Sequence, residues 1–132
     1  MTWHELVRRI RTSGRYTTDA EAEDVLRAVL TVLGGHVIGE ERCELVRLLP
    51  TGAGEILASR IPLTQPLTAP EFVEAVAAGL GSVPLPTARW GVGTVLGVLA
   101  ETAGEELTGR ILAGLPRGYA LLFGRAELVP AA

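Results

Sequence analysis

The sequence predicts an all-α fold: a compact helical bundle of about eight helices, built from two tandem pseudo-repeats of about four helices each. Three observations predict it. Shifting the chain by 66 residues, half of its 132, aligns it with itself without a gap, setting Val29-Leu30-Thr31-Val32-Leu33 over Val95-Leu96-Gly97-Val98-Leu99 and Leu49-Pro50-Thr51-Gly52 over Leu115-Pro116-Arg117-Gly118. Apolar residues recur three and four positions apart, which gives a helix one buried face. Prolines, glycines and Ser/Thr caps stand between those stretches and punctuate them.

The first helix is read from Thr2 to Thr12, with Trp3, Leu6, Val7 and Ile10 as its apolar stripe and Ser13-Gly14 as its end. Thr18-Asp19-Ala20-Glu21 is a capping box for a longer second helix, whose wide apolar face carries Ala22, Val25, Leu26, Val29, Val32 and Leu33. Gly34-Gly35 is expected to stop it through positive φ. A third helix runs from about Glu40 to Leu49 and ends at Pro50, which has no amide to continue the ladder. A short fourth is read near Glu55 to Ser59.

Pro62-Leu63-Thr64-Gln65-Pro66 is a stiff connector. Thr68-Ala69-Pro70-Glu71 then repeats the capping chemistry for a fifth helix striped by Phe72, Val73, Val76 and Leu80. Pro84 and Pro86 open the sixth, expected from Thr87 to about Ala103; the seventh is Glu105 to Leu115, ended by Pro116; the eighth is Tyr119 to Phe123. All 132 residues are thus read as one domain: pseudo-repeat 1–61, linker 62–67, pseudo-repeat 68–125 and a frayed tail at 126–132. A half of that size has a thin core, so both halves are expected to share one.

The totals exclude several classes. Cys43 is the single cysteine, so no internal disulfide forms and nothing argues for an oxidising compartment. The amphipathic start lacks the apolar run of a secretory signal. The longest weakly polar stretch, Gly91 to Ala100, falls short of the roughly 20 residues of a membrane span. A net charge of −3 gives no general attraction to nucleic acid or acidic membranes. The expected location is the cytoplasm, and arginine without lysine resembles, by association only, the codon bias of a high-GC bacterium.

Arg15-Tyr16-Thr17-Thr18, then Glu21-Ala22, Leu26-Arg27-Ala28-Val29-Leu30 and Leu48-Leu49-Pro50, with Leu115-Pro116 and Leu121-Leu122-Phe123 later, resemble the bacterial family called domain of unknown function 2267 (DUF2267). The resemblance spans nearly the whole chain. It departs at the glutamine expected before each Leu-Pro, where Leu48 and Gly114 stand. It implies a small helical protein and brings no catalytic residues. Tyr16 is expected to pack where the first two helices meet, and Arg27 to face solvent or pair with Glu23 one turn away.

No arrangement of residues specifies catalysis, a metal or a cofactor. His4, His36 and Cys43 lack the close ligand spacing of a zinc site. Gly91-Val92-Gly93 with Gly97 lacks the dinucleotide-binding spacing, and Ser13, Ser59 and Ser82 lie near element ends. Glu40-Glu41 and Glu105-Glu106 suit helix N-termini better than acid–base work.

Two surfaces remain. Arg8, Arg9, Arg11 and Arg15 form the one local basic cluster, a candidate polar partner surface. Trp90, Gly93 and Gly97 form a candidate helix-docking surface, because glycines four apart let another backbone approach. The function read from these is a non-enzymatic protein-interaction or scaffold module with an unidentified protein partner, self-association included. The alternatives are an RNA- or DNA-associated accessory protein using the arginines, and a carrier of a small apolar ligand held between the halves.

Overall fold

The computed structural model of the chain describes residues 1–125. The expected tail at 126–132 lies outside the described residues. The protein is all-helical, in the order α1 (Trp3–Gly14), α2 (Asp19–Leu33), α3 (Gly39–Leu48), α4 (Thr51–Ala58), α5 (Ala69–Gly79), α6 (Leu85–Ala103), α7 (Glu105–Ala113) and α8 (Tyr119–Leu122). None of the described helices is long and apolar enough to cross a membrane.

The caps form where hydroxyl and carboxylate chemistry put them. Thr2 and Thr18 accept the amides of Glu5 and Glu21 at 3.1 Å, satisfying donors that have no partner inside the helix. At α5 the box is complete: Thr68 accepts the Glu71 amide, and the Glu71 carboxylate accepts the Thr68 amide at 2.9 Å. The Thr68 amide, and after it the Thr68 hydroxyl, hold the Glu71 carboxyl below the usual range. At α2 only the Thr18 half is made.

The first three helices of each half begin 66 residues apart, Trp3 against Ala69, Asp19 against Leu85 and Gly39 against Glu105. The long helices α2 and α6 pack together at the centre, and α1 and α5 each touch both of them. In addition α4 rests on α2, α8 on α6, and α3 meets α7. Leu6, Ile10, Leu26, Leu30, Phe72, Val76, Leu96 and Leu57 are fully shielded in this one cluster, so both halves contribute to one core.

Three local expectations are corrected. Gly34 ends α2 in the right-handed region, φ −59°, rather than at positive φ. It is glycine for want of space: a Cβ there would lie 2.5 Å from Arg60 Cγ and 2.9 Å from the Leu57 carbonyl. The fourth helix begins at Thr51, straight after Pro50, which ends α3 and caps α4. Its Gly52 and Gly54, poor helix formers, are where Trp3 and Val46 press on the backbone. The seventh helix stops at Ala113, leaving Leu115 half-buried beyond it.

An aromatic cluster fastens the connector between the halves. His36, Phe72 and Tyr119 meet with ring centres 5.5–6.0 Å apart. The Leu67 amide donates to His36 Nε2 at 3.0 Å, and the Tyr119 hydroxyl donates to the Leu67 carbonyl at 2.8 Å. One connector residue is therefore held from both halves.

Candidate functional site

Helix α6 has two glycine faces with opposite surroundings. On the inner face a Cβ at Gly91 would sit 2.9 Å from Val25 Cγ1 of α2 and 3.3 Å from the Tyr16 hydroxyl. Gly91 is therefore the place where α6 meets α2 closely. On the outer face a Cβ at Gly97 would meet nothing within 4 Å, and one at Gly93 would meet only the Arg89 guanidinium, 2.8 Å away. No described helix of this chain packs on Gly93 and Gly97.

These two glycines floor an open groove of about 630 Å³, walled by Trp90 and Arg89 on α6, Ser13 on α1 and Glu101 further along α6. Trp90 is 55% exposed, yet its indole N–H donates to the Gly14 carbonyl at 2.9 Å, which fixes the ring at the groove's edge. Arg89 donates to the Leu121 carbonyl at 3.2 Å, beside the exposed Leu121. Glu101 of the groove wall is bonded by Arg9 at 2.9 Å, and Arg9 also donates to Thr102 at 3.2 Å.

A second groove, of about 550 Å³, runs between α2 and α5 over Asp24, Arg27 and Thr31. Those residues stand 66 positions before Trp90, Gly93 and Gly97. Here the lining carries charge: Arg27 bonds Glu23 at 2.9 Å and lies 4.8 Å over the Trp3 ring. Arg27 thus pairs as its spacing implied, and Trp3 is half-buried against the core rather than a free stacking platform. Where the first half has aspartate, arginine and threonine, the second has an exposed indole and two glycines.

The arginine cluster divides. Arg9 is tied to α6, and Arg11 bonds Asp19 at 3.1 Å and the Thr17 carbonyl at 3.0 Å, so both serve the fold. Arg8 and Arg15 are exposed and make no ion pair among the described residues. Arg15 caps α1 in the left-handed region, φ 56°. Tyr16, in the α1–α2 connection, lays its ring against Gly14, where a Cβ would lie 2.3 Å away, and its hydroxyl reaches Gly91 of α6. Burial pushes its phenol up, with the Thr94 hydroxyl opposing.

The other candidate chemistries meet the following surroundings. Both His36 nitrogens are occupied, Nδ1 by the Val32 carbonyl at 2.9 Å and Nε2 by Leu67, leaving no lone pair for a metal. Among the described residues no three His, Cys, Asp or Glu side chains are grouped to hold a metal ion. Glu40, Glu41, Glu105 and Glu106 occupy the first turns of α3 and α7. Glu105 is held below the usual carboxylate range by the Arg125 guanidinium at 2.8 Å. Glu44 bonds Arg110 and so joins α3 to α7. The enclosed crevice between the halves, lined by Leu33, Leu99, Ile111 and Phe123 among others, holds about 10 Å³. That crevice has scarcely room for one water, whereas the open cleft between α3 and α7, lined by Glu44, Leu48, Leu107 and Arg110 among others, holds about 450 Å³.

The tyrosine-to-Leu-Pro series that marks the resemblance lies on this helical frame, and the profile of the family described as "Uncharacterized conserved protein (DUF2267)" matches residues 3–122. The chain belongs to the DUF2267 family. Among curated proteins nothing matches it. The DUF2267 description names no activity, so the reading of this chain rests on its own surfaces.

Proposed function

We propose that this DUF2267 protein is a non-enzymatic interaction or scaffold module of the bacterial cytoplasm that docks an apolar helix of a partner protein in the α1/α6 groove. The observation that carries the reading is the outward Gly93–Gly97 face of α6, which has open space over it while the inner Gly91 face is closely packed. A helix pressed against this floor could approach to the short interaxial distance that small residues permit, with Trp90 as an exposed aromatic anchor. Arg8 on α1 and Arg15 just beyond it, with no ion pair among the described residues, suit acidic residues flanking the docked segment.

The test is affinity capture from the source cell with the wild type, a Gly97→Arg variant that fills the groove, and an Arg8→Glu/Arg15→Glu variant. One protein held by wild type, lost with Gly97→Arg and weakened by the arginine pair supports the reading. The same capture by wild type and Gly97→Arg overturns it. The exposed, unpaired Arg8 and Arg15 also favour a second reading, an RNA- or DNA-associated accessory role. That role requires binding that weakens steeply with salt and disappears on charge reversal of those arginines.

A further inference from the structure

We propose that His36 is a proton-operated latch on the segment 60–68 that joins the two halves. The ring is buried and its protonation state is dictated by its partners: a backbone amide can only donate, so Nε2 must accept from Leu67, and the remaining proton on Nδ1 is donated to the Val32 carbonyl. The neutral imidazole is therefore the form that holds the connector. A second proton, on Nε2, sets N–H against N–H and removes the acceptor. Leu67 is then released, and the Tyr119 hydroxyl loses the carbonyl to which it donates.

Phe72 and Tyr119 present aromatic surface to the ring at 5.5 and 6.0 Å. Beyond the Tyr119 phenol lies Glu71, whose charge reaches that phenol but whose carboxylate is already bonded to Thr68. Arg60, itself cationic, lays its stem across Gly34 two residues before the histidine, and Arg42 donates to the Arg60 carbonyl at 2.6 Å. Among the described residues no carboxylate bonds the ring. The backbone of the connector is also tied by the Leu63 amide on the Gly35 carbonyl at 3.0 Å.

Amide hydrogen exchange on the full chain tests this at about pH 7.5 and about pH 5, spanning the imidazole range. After correction for intrinsic rates, protection of the Leu67 amide is expected to fall by about tenfold or more at the lower pH, with Val95 and Leu96 in α6 unchanged. A His36→Phe variant should show the low protection at both pH values. Equal Leu67 protection at both, or a pH step that survives in His36→Phe, overturns the latch. If that variant does not fold, imidazole ¹⁵N shifts of the wild type decide: Nε2 gaining a proton together with a shift of the Leu67 amide supports it, and an imidazole unchanged down to about pH 5 refutes it.

Discussion

Alanine at Gly91 and alanine at Gly97 are the same chemical change, six residues apart on one helix, and should act in opposite directions. Replacing a mid-helix glycine by alanine gains about 1 kcal/mol of helix propensity wherever the new methyl has room. At Gly97 the methyl meets nothing within 4 Å, so stability should rise by about that amount. At Gly91 it would lie 2.9 Å from Val25 Cγ1, on a β-branched side chain that is itself buried, and 3.3 Å from the Tyr16 hydroxyl. Relieving such an overlap costs about 1–3 kcal/mol, so Gly91→Ala should stand below Gly97→Ala by roughly that amount. At about 4 °C per kcal/mol for a chain of this size, the two midpoints should differ by about 4–12 °C in calorimetry. Equal midpoints would refute the assignment of one face to packing and the other to open space. If the groove docks a partner helix, Gly97→Ala should also weaken capture while stabilising the fold.

Three further outcomes follow from named contacts. Leu49→Ala should cost about 2–5 kcal/mol in urea unfolding because Leu49 is buried, whereas Leu115→Ala, half-buried beyond α7, should cost about 1–2 kcal/mol. Thr68→Ala should cost about 1 kcal/mol and more than Thr18→Ala, because only the former breaks a reciprocal box. Burial raises the Tyr119 phenol well above its ordinary value. Above about pH 10 the unfolded chain then loses a proton that the folded one keeps, and stability falls with rising pH. A pH series of melting points should show that alkaline decline flattened in Tyr119→Phe, which is also weaker at neutral pH for want of its bond to Leu67.

What could be read from the sequence was what local spacing dictates. The Thr18 and Thr68 caps and the breaks at Pro50 and Pro116 act through neighbouring backbone, so eight helices and most of their ends were legible. The roles of the glycines were not. Helix α6 is small and apolar nearly all round, with Ala88, Gly91, Val92, Val95, Leu96 and Leu99 all buried, and periodicity then fails to say which glycine faces a neighbour. Gly93 and Gly97 drew notice by their spacing, while Gly91 did the close packing. The division of the arginines was equally hidden, since Arg9 finds Glu101 and Thr102 more than ninety positions away in sequence. The clasp of His36 on Leu67 also depends on the chain's return after 31 residues, so nothing local announces it. That the Tyr16 hydroxyl reaches Gly91 of α6 is hidden for the same reason.

Whether the two halves close over a single interior is tested most directly by unfolding them with separate reporters. Trp3 lies against Gly52 of α4 in the first half and Trp90 lies on α6 in the second, so Trp3→Phe and Trp90→Phe each leave one indole to follow. Leu96→Ala, in a fully buried position of α6, removes three carbons worth about 2.4 kcal/mol in transfer and leaves a cavity, for a total of about 3–5 kcal/mol. One shared core requires both indoles to report the same midpoint, lowered equally by Leu96→Ala. A midpoint that moves for Trp90 and stays for Trp3 would mean two cores and contradict the fold described.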